Sequence, residues 1–557
     1  MASSLKLDKS QVNFKIKFGA DNVKQHKTIG RWPTGNQYSS VEMPGSELRL
    51  SYAKDVLSGT IIAKEEIFLR EIQISIKIKS RKGIPLYACG TYAGSPGLTI
   101  SDQREIIRLK RNKVMKQFIT FEYNPSRRIL NINWQFNCFM PNGKELVFDP
   151  ILIAENETAL QPSLGKTEPK LVPRTSWIAE SPLNQPLRIN YIEENLNWME
   201  KERFFFDMIQ LNGLHNTIGD WENLPPEFRG KIGFINRRIE HNGMIPAIAF
   251  APFHAEAGSE LVRLHPDWLV GELKGDTPLL NQQNHKKMYI LDFTQISVRE
   301  YIKSTLDLFY RQWGFKAFHL QGLSALLLPC RRSDNEKESG EILHEALLFF
   351  REILGAKTFI SAENIPLITQ ENVLSMISMD SSISSKRKSK KEIPEAIYRV
   401  LNQTFTSQYP WLFNSGNYPL PEEKELIHPQ AAESLRQMML ISGGSLSIKN
   451  NLNKMSQNQV NELKKLIPSF KRFAGGSLHL INSPDKKTPS VLFNSRGYLG
   501  VFNLSGKKKQ TSLNMESMRL RFYNKKSGTQ IKEGRTGMKT GELELILPPY
   551  GSRIFKF

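Results

Sequence analysis

Residues 314–322 read Gly-Phe-Lys-Ala-Phe-His-Leu-Gln-Gly. Short, largely apolar and bounded by glycines, residues 317–322 read as a buried strand that ends on a neutral amide, Gln321. The helix-like run 298–313 leads into it, and this alternation repeats on both sides. Strand-like segments recur at 204–211, 244–252, 357–364, 373–380, 409–414 and 439–448, and an eighth begins near Trp177. Helical patterns lie at 192–203, 228–241, 298–313, 342–354 and 431–439. In 342–354, Ile342, Leu343, Ala346, Leu347, Phe350 and Leu354 recur at spacings of three and four, an apolar stripe on one helix face. Repeated strand–helix units of this length predict a (β/α)8 barrel over 173–473. Function in such a barrel gathers at the C-terminal strand ends, so Gln321 carries unusual weight.

The flanks have a different period. Residues 1–172 contain alternating runs such as 14–18 (Phe-Lys-Ile-Lys-Phe), 72–78 and 130–134, punctuated by Gly, Pro and Asn. Period-two alternation sets one face on a core and the other in water, which predicts an antiparallel β domain. Residues 160–174, with three prolines and several charges, read as a linker. Alternation returns in 474–557, at 499–504, 519–522 and 542–547, and predicts a C-terminal β-sandwich.

Composition excludes several classes. With 557 residues, 39% hydrophobic and 24% charged, the chain has ample material for a large soluble core. No apolar run approaches the roughly 18 residues of a membrane span. The opening residues carry lysines and no apolar h-region, so no secretory signal is expected and cytoplasmic residence is the simplest expectation. On that basis Asn156-Glu-Thr and Asn503-Leu-Ser carry little weight as glycosylation acceptors. Cys89, Cys138 and Cys330 are far apart and odd in number, giving neither a disulfide framework nor a metal-ligand spacing. His254 and His265 lack partners at zinc spacing, and no glycine-rich phosphate loop occurs; no metal and no cofactor are expected. Lys+Arg 76 against Asp+Glu 55 gives a net charge of +21, with basic clusters at 386–391 and 507–509. These are either solvated loops or the footprint of an anionic partner. No nucleic-acid-binding motif accompanies them.

Several segments, in register, resemble the melibiase-type α-galactosidases. They are Gly219-Asp-Trp-Glu222, Ala249-Phe-Ala-Pro-Phe253, Ser259-Glu-Leu261, His265-Pro-Asp-Trp-Leu269, Leu291-Asp-Phe-Thr294 with Val298-Arg-Glu-Tyr-Ile302, Ile441-Ser-Gly-Gly444 and Leu547-Pro-Pro-Tyr-Gly-Ser-Arg553. The resemblance covers roughly 175–557 and implies a β domain, a barrel and a closing β-sandwich, the organisation that the periodicities predict.

The resemblance also marks where acids are expected. Where the family has Lys-x-Asp at the end of its fourth strand, with the aspartate as nucleophile, this chain has His319-Leu-Gln321. Asp-Asp-Gly-Trp after the second strand, whose carboxylates grip sugar hydroxyls, is Leu211-Asn-Gly-Leu214, placing Asn212 in the pocket. Asn-Asp-Pro-Asp corresponds to Asn414-Ser-Gly-Asn417, and Ser-Asp-Asp-Leu to Lys449-Asn-Asn-Leu452. The family's acid/base aspartate aligns, across a gap, with Asp380. That residue is either the acid or a strand-end carboxylate accepting loop amides. Glu363 is a weaker substitute acid, or the member of a structural salt bridge. Asp220 and Trp221 lie at the pocket edge, Trp221 either stacking on a sugar or packing its loop. His319 takes the place of the sugar-binding lysine, or is a satisfied core histidine.

Retaining glycoside hydrolysis needs two carboxyl groups roughly 5–5.5 Å apart, one of them a nucleophile. A glutamine amide is neutral and has no basic form at pH 7. The expectation is therefore an α-galactosidase-like pseudoenzyme that binds a galactoside-like carbohydrate or serves as a regulatory scaffold. Two alternatives stay open. One is an active glycosidase using substrate assistance with an acid at Asp380 or Glu363, and the other is an interaction protein holding an anionic partner on its basic surface.

Overall fold

The computed structural model describes residues 6–19, 23–30, 32–33, 39–79, 87–89, 97–101, 105–111, 116–124, 126–158, 173–180, 187–275, 277–283, 286–363, 376–378, 412–417, 429–473, 478–482, 491–494, 496–503, 505–514 and 542–556. The chain divides into two compact units. The first comprises 1–159, 179–197 and 208–377, and the second comprises 160–178, 198–207 and 378–557.

In the first unit the N-terminal region forms two antiparallel sheets. One runs Phe118–Asn124, Ile129–Met140, Ile67–Lys79, Lys6–Phe18, Lys24–Gly30. The other runs Ser39–Met43, Ser46–Ala53, Val56–Ala63, Ile151–Thr158, Glu105–Arg111, Gly97–Ser101, Tyr87–Cys89, with Glu145–Val147 also pairing with Val56–Ala63. The alternating runs bury one residue in two: Phe14 and Ile16, then Ile72, Ile74, Ile76 and Ile78, then Leu130, Ile132 and Trp134 join one core. Burying one side of every strand against the same interior is what fixes their register.

The same unit holds a parallel arc of four strands. Met208–Leu211, Ile245–Phe250, Ala317–Leu320 and Phe359–Glu363 pair in that order. Helices Ile232–His241, Ile296–Asp307 and Ser339–Leu354 follow the first, second and third of them, the middle one continuing as a π-helical turn, Leu308–Gln312. Ser339–Leu354 buries Ile342, Leu343, Ala346, Leu347, Phe350 and Leu354, the stripe expected from the 3.6-residue period. Between Phe250 and Ile296 the chain makes a small antiparallel sheet of His254–Glu256, Lys286–Ile290 and Leu280–Gln283.

The second unit contains a further parallel set. Leu412–Asn417 pairs with Ser445–Ile448, which in turn pairs with Thr175, Ser176 and Trp177 of the strand Thr175–Ala179. Helices Pro429–Ile441 and Gln457–Phe473 flank it in sequence, the latter with Pro468 inside. An antiparallel sheet follows, in the order Leu478–Asn482, Val491–Asn494, Tyr498–Phe502, Ser552–Lys556, and Lys509–Asn514 pairs with Glu542–Leu547. Asn503 is fully buried, its Nδ2 donating to the carbonyls of Lys507, Leu547 and Pro548, so its amide is not presented to solvent. Met376–Ser378 is a short strand, and the run at 519–522 and the basic cluster at 386–391 lie outside the described residues. No helix among the described residues is long and apolar enough to cross a membrane.

Candidate functional site

The parallel arc has two chemically distinct faces. Cross-strand partners share a face, and successive residues alternate. Ile209, Leu211, Ile248, Phe250, Phe318, Leu320 and Ile360 fall on one side, and all are buried. That side meets the helices: Phe250 lies 5.3 Å from Phe309 and Phe318 lies 6.4 Å from Tyr310, between ring centroids. The opposite side carries Gln210, Ala247, Ala249, Ala317, His319 and Ser361, and the alternation continues to Asn212 and Gln321 just past the strand ends. The middle strands present alanines on this side, between Gln210 and the His319–Ser361 pair, and Phe359, the partner of Ala317, falls on it too.

Each polar group is held in a particular way. Gln210, buried, donates its Nε2 to Asn212 Oδ1 at 2.8 Å, and the Asn212 backbone N–H donates to Ala179 O at 2.9 Å. His319 Nδ1 lies 2.9 Å from Ser361 Oγ, both residues being buried. Gln321 donates its backbone N–H to Phe250 O at 2.9 Å, which extends the strand pairing to the residue itself. Its side chain is half-buried and has no partner among the described residues. Gly322 follows with φ +66° and packs on the ring of His254. Burial holds His254 down at about 4, so its imidazole is neutral near pH 7, and its Nδ1 has no partner among the described residues.

The loops behind the strands are joined by the quoted motifs themselves. Both carboxylate oxygens of Asp220 accept backbone N–H groups, from Leu261 and Glu260, at 3.0 Å each, at the start of the helix Glu260–Leu264. Ser259 is the N-cap of that helix. Trp221 is 4% exposed and sits edge-on to His215 and Phe250, with centroids at 5.1 and 5.7 Å. Tyr301 donates its hydroxyl to Gly219 O, and Glu256 accepts the Ile218 N–H. Asp292 accepts from Thr294 N–H, Thr294 Oγ1 and Ser333 N–H. These acids are occupied by backbone and hydroxyl donors.

Two residues escape sequence reading. His215 packs against both Trp313 and Phe309, with ring centroids at 5.9 and 5.5 Å, and burial lowers it to about 4. The only signal for it is a histidine two residues beyond Asn-Gly, too common to weigh. Ser361 as the partner of His319 has none, because the pairing joins strands 42 residues apart. Asp380 lies outside the described residues, and of Glu363 and Asn417, the last residues of Phe359–Glu363 and Leu412–Asn417, the backbone alone is described. Among the described residues no group of three His, Cys, Asp or Glu is placed to hold a metal. His265 stacks on Trp268 at 3.8 Å.

Residues 211–337 match the family model described as Melibiase. Over those residues the chain is similar to the melibiases. The same segment contains Asn212, Asp220, Trp221, His319 and Gln321 together. A curated relative, α-galactosidase 2 of Pediococcus pentosaceus, is 24% identical over 153 residues, 26% of this chain, and the match spans 20% of that protein's length. Among solved structures, the α-galactosidase of Thermus thermophilus in complex with stachyose superposes with a TM-score of 0.54 at 14% identity, covering 78% of this chain and 99% of that one. The Lactobacillus brevis α-galactosidase gives 0.57 at 11%, covering 99% and 85%. A GH36 α-galactosidase of Geobacillus stearothermophilus gives 0.55 at 11%, covering 100% and 87%. At these identities the structural likeness speaks for the fold. Within 211–337 several motifs bind one another: Gly219 to Tyr301, Asp220 to Glu260 and Leu261, and Phe253 O to Leu291 N–H.

Proposed function

We propose that this protein is of the melibiase type, binds a galactoside-like carbohydrate at the C-terminal ends of its parallel strands, and does not hydrolyse it by the retaining mechanism. The reading places both parallel sets in one (β/α)8 barrel over 173–473, between a β domain at 1–172 and a β-sandwich at 474–557. Its main support is Gln321, a neutral amide at the strand end, hydrogen-bonded to Phe250 O and on the face of the arc that carries Ala249 and Ala317. An uncharged amide neither attacks an anomeric carbon nor stabilises the positive charge that develops there. Asn212 adds a second neutral group on the same face, and Asn417, also neutral, ends a strand of the second unit. The galactosidase neighbours described as complexes with stachyose and p-nitrophenyl α-galactoside support a sugar as ligand.

The test is turnover of p-nitrophenyl α-D-galactopyranoside by the pure full-length protein. No release of nitrophenol above the uncatalysed rate is expected. Gln321→Asp is expected to restore little, because Asn212 and Asn417 remain neutral. Turnover by the wild-type protein that Asp380→Asn abolishes would overturn the reading and favour a hydrolase with altered chemistry.

A further inference from the structure

We propose that the outward face of the N-terminal sheet built on Ile67–Lys79, Lys6–Phe18 and Lys24–Gly30 docks on an anionic lipid surface, its lysines against phosphate headgroups and Ile29 in the boundary between headgroups and acyl chains. The proposal goes beyond the carbohydrate-binding reading and does not depend on it.

Strand register defines the face. Phe14 and Ile16 point into the core, so Asn13, Lys15 and Lys17 point outward, and their cross-strand partners share that side. Lys15 is directly opposite Lys27, Asn13 is opposite Ile29, and Lys17 is opposite Gln25. Further along, Ile76 and Ile78 are buried, which turns Lys77 and Lys79 outward, and Lys79 is opposite Lys6. These lysines share the face with Asp8, Glu71 and Glu122. Glu71 pairs with Lys17 at 2.8 Å and Asp8 with Lys79 at 2.9 Å. Lys6, Lys15, Lys27 and Lys77 have no ion-pair partner among the described residues.

Two features of this face work against the isolated fold. Like charges directly across a strand pair are destabilising, and Lys15 and Lys27 stand in that relation. Burial lowers the Lys15 ammonium from its usual value; Lys17 and Lys27 lower it further, and Glu71 and Glu122 oppose them. Lysine on an edge strand guards against edge-to-edge pairing, which accounts for Lys27 but not for Lys15, one strand in. Nor does it account for Ile29, 63% exposed on the edge strand itself, or for Val23 just before that strand, 44% exposed. Lysines beside exposed aliphatic side chains are complementary to an anionic bilayer, where basic groups meet phosphates and aliphatic ones enter the interface. A nucleic acid or another soluble polyanion would match the lysines and leave Ile29 in water. Among the described residues no outward position of these strands carries an exposed aromatic ring on which bases could stack.

The experiment sediments the full-length protein with vesicles of phosphatidylcholine alone and of phosphatidylcholine mixed with phosphatidylglycerol, and measures its binding to labelled inorganic polyphosphate in parallel. A lysine near an anionic surface is worth about fivefold in binding, so Lys15→Gln with Lys27→Gln should weaken binding to the mixed vesicles by more than about tenfold. Ile29→Ser should weaken it by about threefold or more and leave polyphosphate binding unchanged. Lys507→Gln with Lys508→Gln, exposed positions in the second unit, should change vesicle binding by less than about twofold. The Lys15 and Lys27 substitutions relieve a like-charge contact, so that variant is expected to fold, which a thermal melt checks; if it does not, Ile29→Ser and the Lys507 and Lys508 control decide. No preference for the mixed vesicles overturns the proposal. So does an equal loss in the control, which would make the attraction a property of the whole chain's charge. Ile29→Ser without effect on vesicles, or binding to polyphosphate but not to vesicles, overturns the bilayer as occupant in favour of a soluble polyanion.

Discussion

At Gly322 the backbone is left-handed, with φ +66°, one residue beyond Gln321, and the imidazole of His254 lies against the α-carbon. A side chain here meets two obstacles. The positive φ is unfavourable for any residue with a Cβ, and that Cβ would stand 2.7 Å from His254 Nδ1. Because His254 is 1% exposed, its ring has little space into which to retreat. Gly322→Ala should therefore cost about 2–4 kcal/mol of stability, read as a lower denaturant midpoint at unchanged slope. An effect under about 0.5 kcal/mol would mean that the ring moves freely, and the placement of Gln321 would lose its support. At this scale the sequence is informative about residue type and silent about partners. It marks Gln321 as neutral, but nothing local announces that a glycine is required by a histidine 68 positions earlier. For His319 the sequence allows both a ligand-binding and a core role; the residue is buried with Nδ1 on Ser361, a pairing that needs the strand Phe359–Glu363 in place.

Elements explain why the melibiase motifs are readable at all. Gly219-Asp-Trp, after Met208–Leu211, ties its loop to the chain that follows Ile245–Phe250 through contacts with Ala255, Glu260, Leu261 and Tyr301. Asp220 supplies acceptors at the start of a five-residue helix, whose first N–H groups otherwise have no partner. Asp220→Asn keeps the shape but replaces one acceptor oxygen by a donor facing an N–H. A loss of about 1–2 kcal/mol is expected, together with faster hydrogen exchange at Glu260 and Leu261. Unchanged exchange at those two amides would show that the carboxylate does not organise the loop. The strands and helices are legible because their burial follows period: Ile342, Leu343, Ala346, Leu347, Phe350 and Leu354 are all buried in one helix. The antiparallel insertion at Leu280–Gln283 and Lys286–Ile290 is not, since Asn, Gln and Lys fill most of it and its apolar side is as short as Met288 and Ile290 on the second strand. Gln457–Phe473 is hidden for the opposite reason. Pro468 reads as a break, yet the helix runs through it.

Across the first unit as a whole, the N-terminal sheets and the helix before the fourth strand of the arc share a buried polar joint. Glu338, 3% exposed, accepts from Gln117 Nε2 at 2.5 Å; Gln117 also donates its backbone N–H to Asp149, and Asn137 Nδ2 donates to Leu327 O nearby in the chain. Burial raises the Glu338 carboxyl from 4.5 to about 7; Gln117 offsets part of that rise, Asp149 and Glu341 add to it, and Lys116 opposes them. An acid that keeps its proton in the folded state to higher pH costs stability as pH rises. The unfolded chain releases the proton near 4.5 and the folded chain near 7, so stability falls through that window and stays lower above it. The full span corresponds to about 3 kcal/mol at most. His215 and His254 act in the opposite sense. Each is lowered from 6.5 to about 4, so the unfolded chain binds their protons first and stability falls as pH drops through 6.5. Between these limbs the protein should be most stable in mildly acidic to neutral solution. Glu338→Gln keeps an acceptor for Gln117 and removes the charge. It should raise the unfolding free energy at pH 8 by about 1–3 kcal/mol and change it little at pH 4, where Glu338 is protonated in both states. Urea titrations at the two pH values measure the difference, and an equal effect at both would show that ionisation of Glu338 is not what weakens the joint.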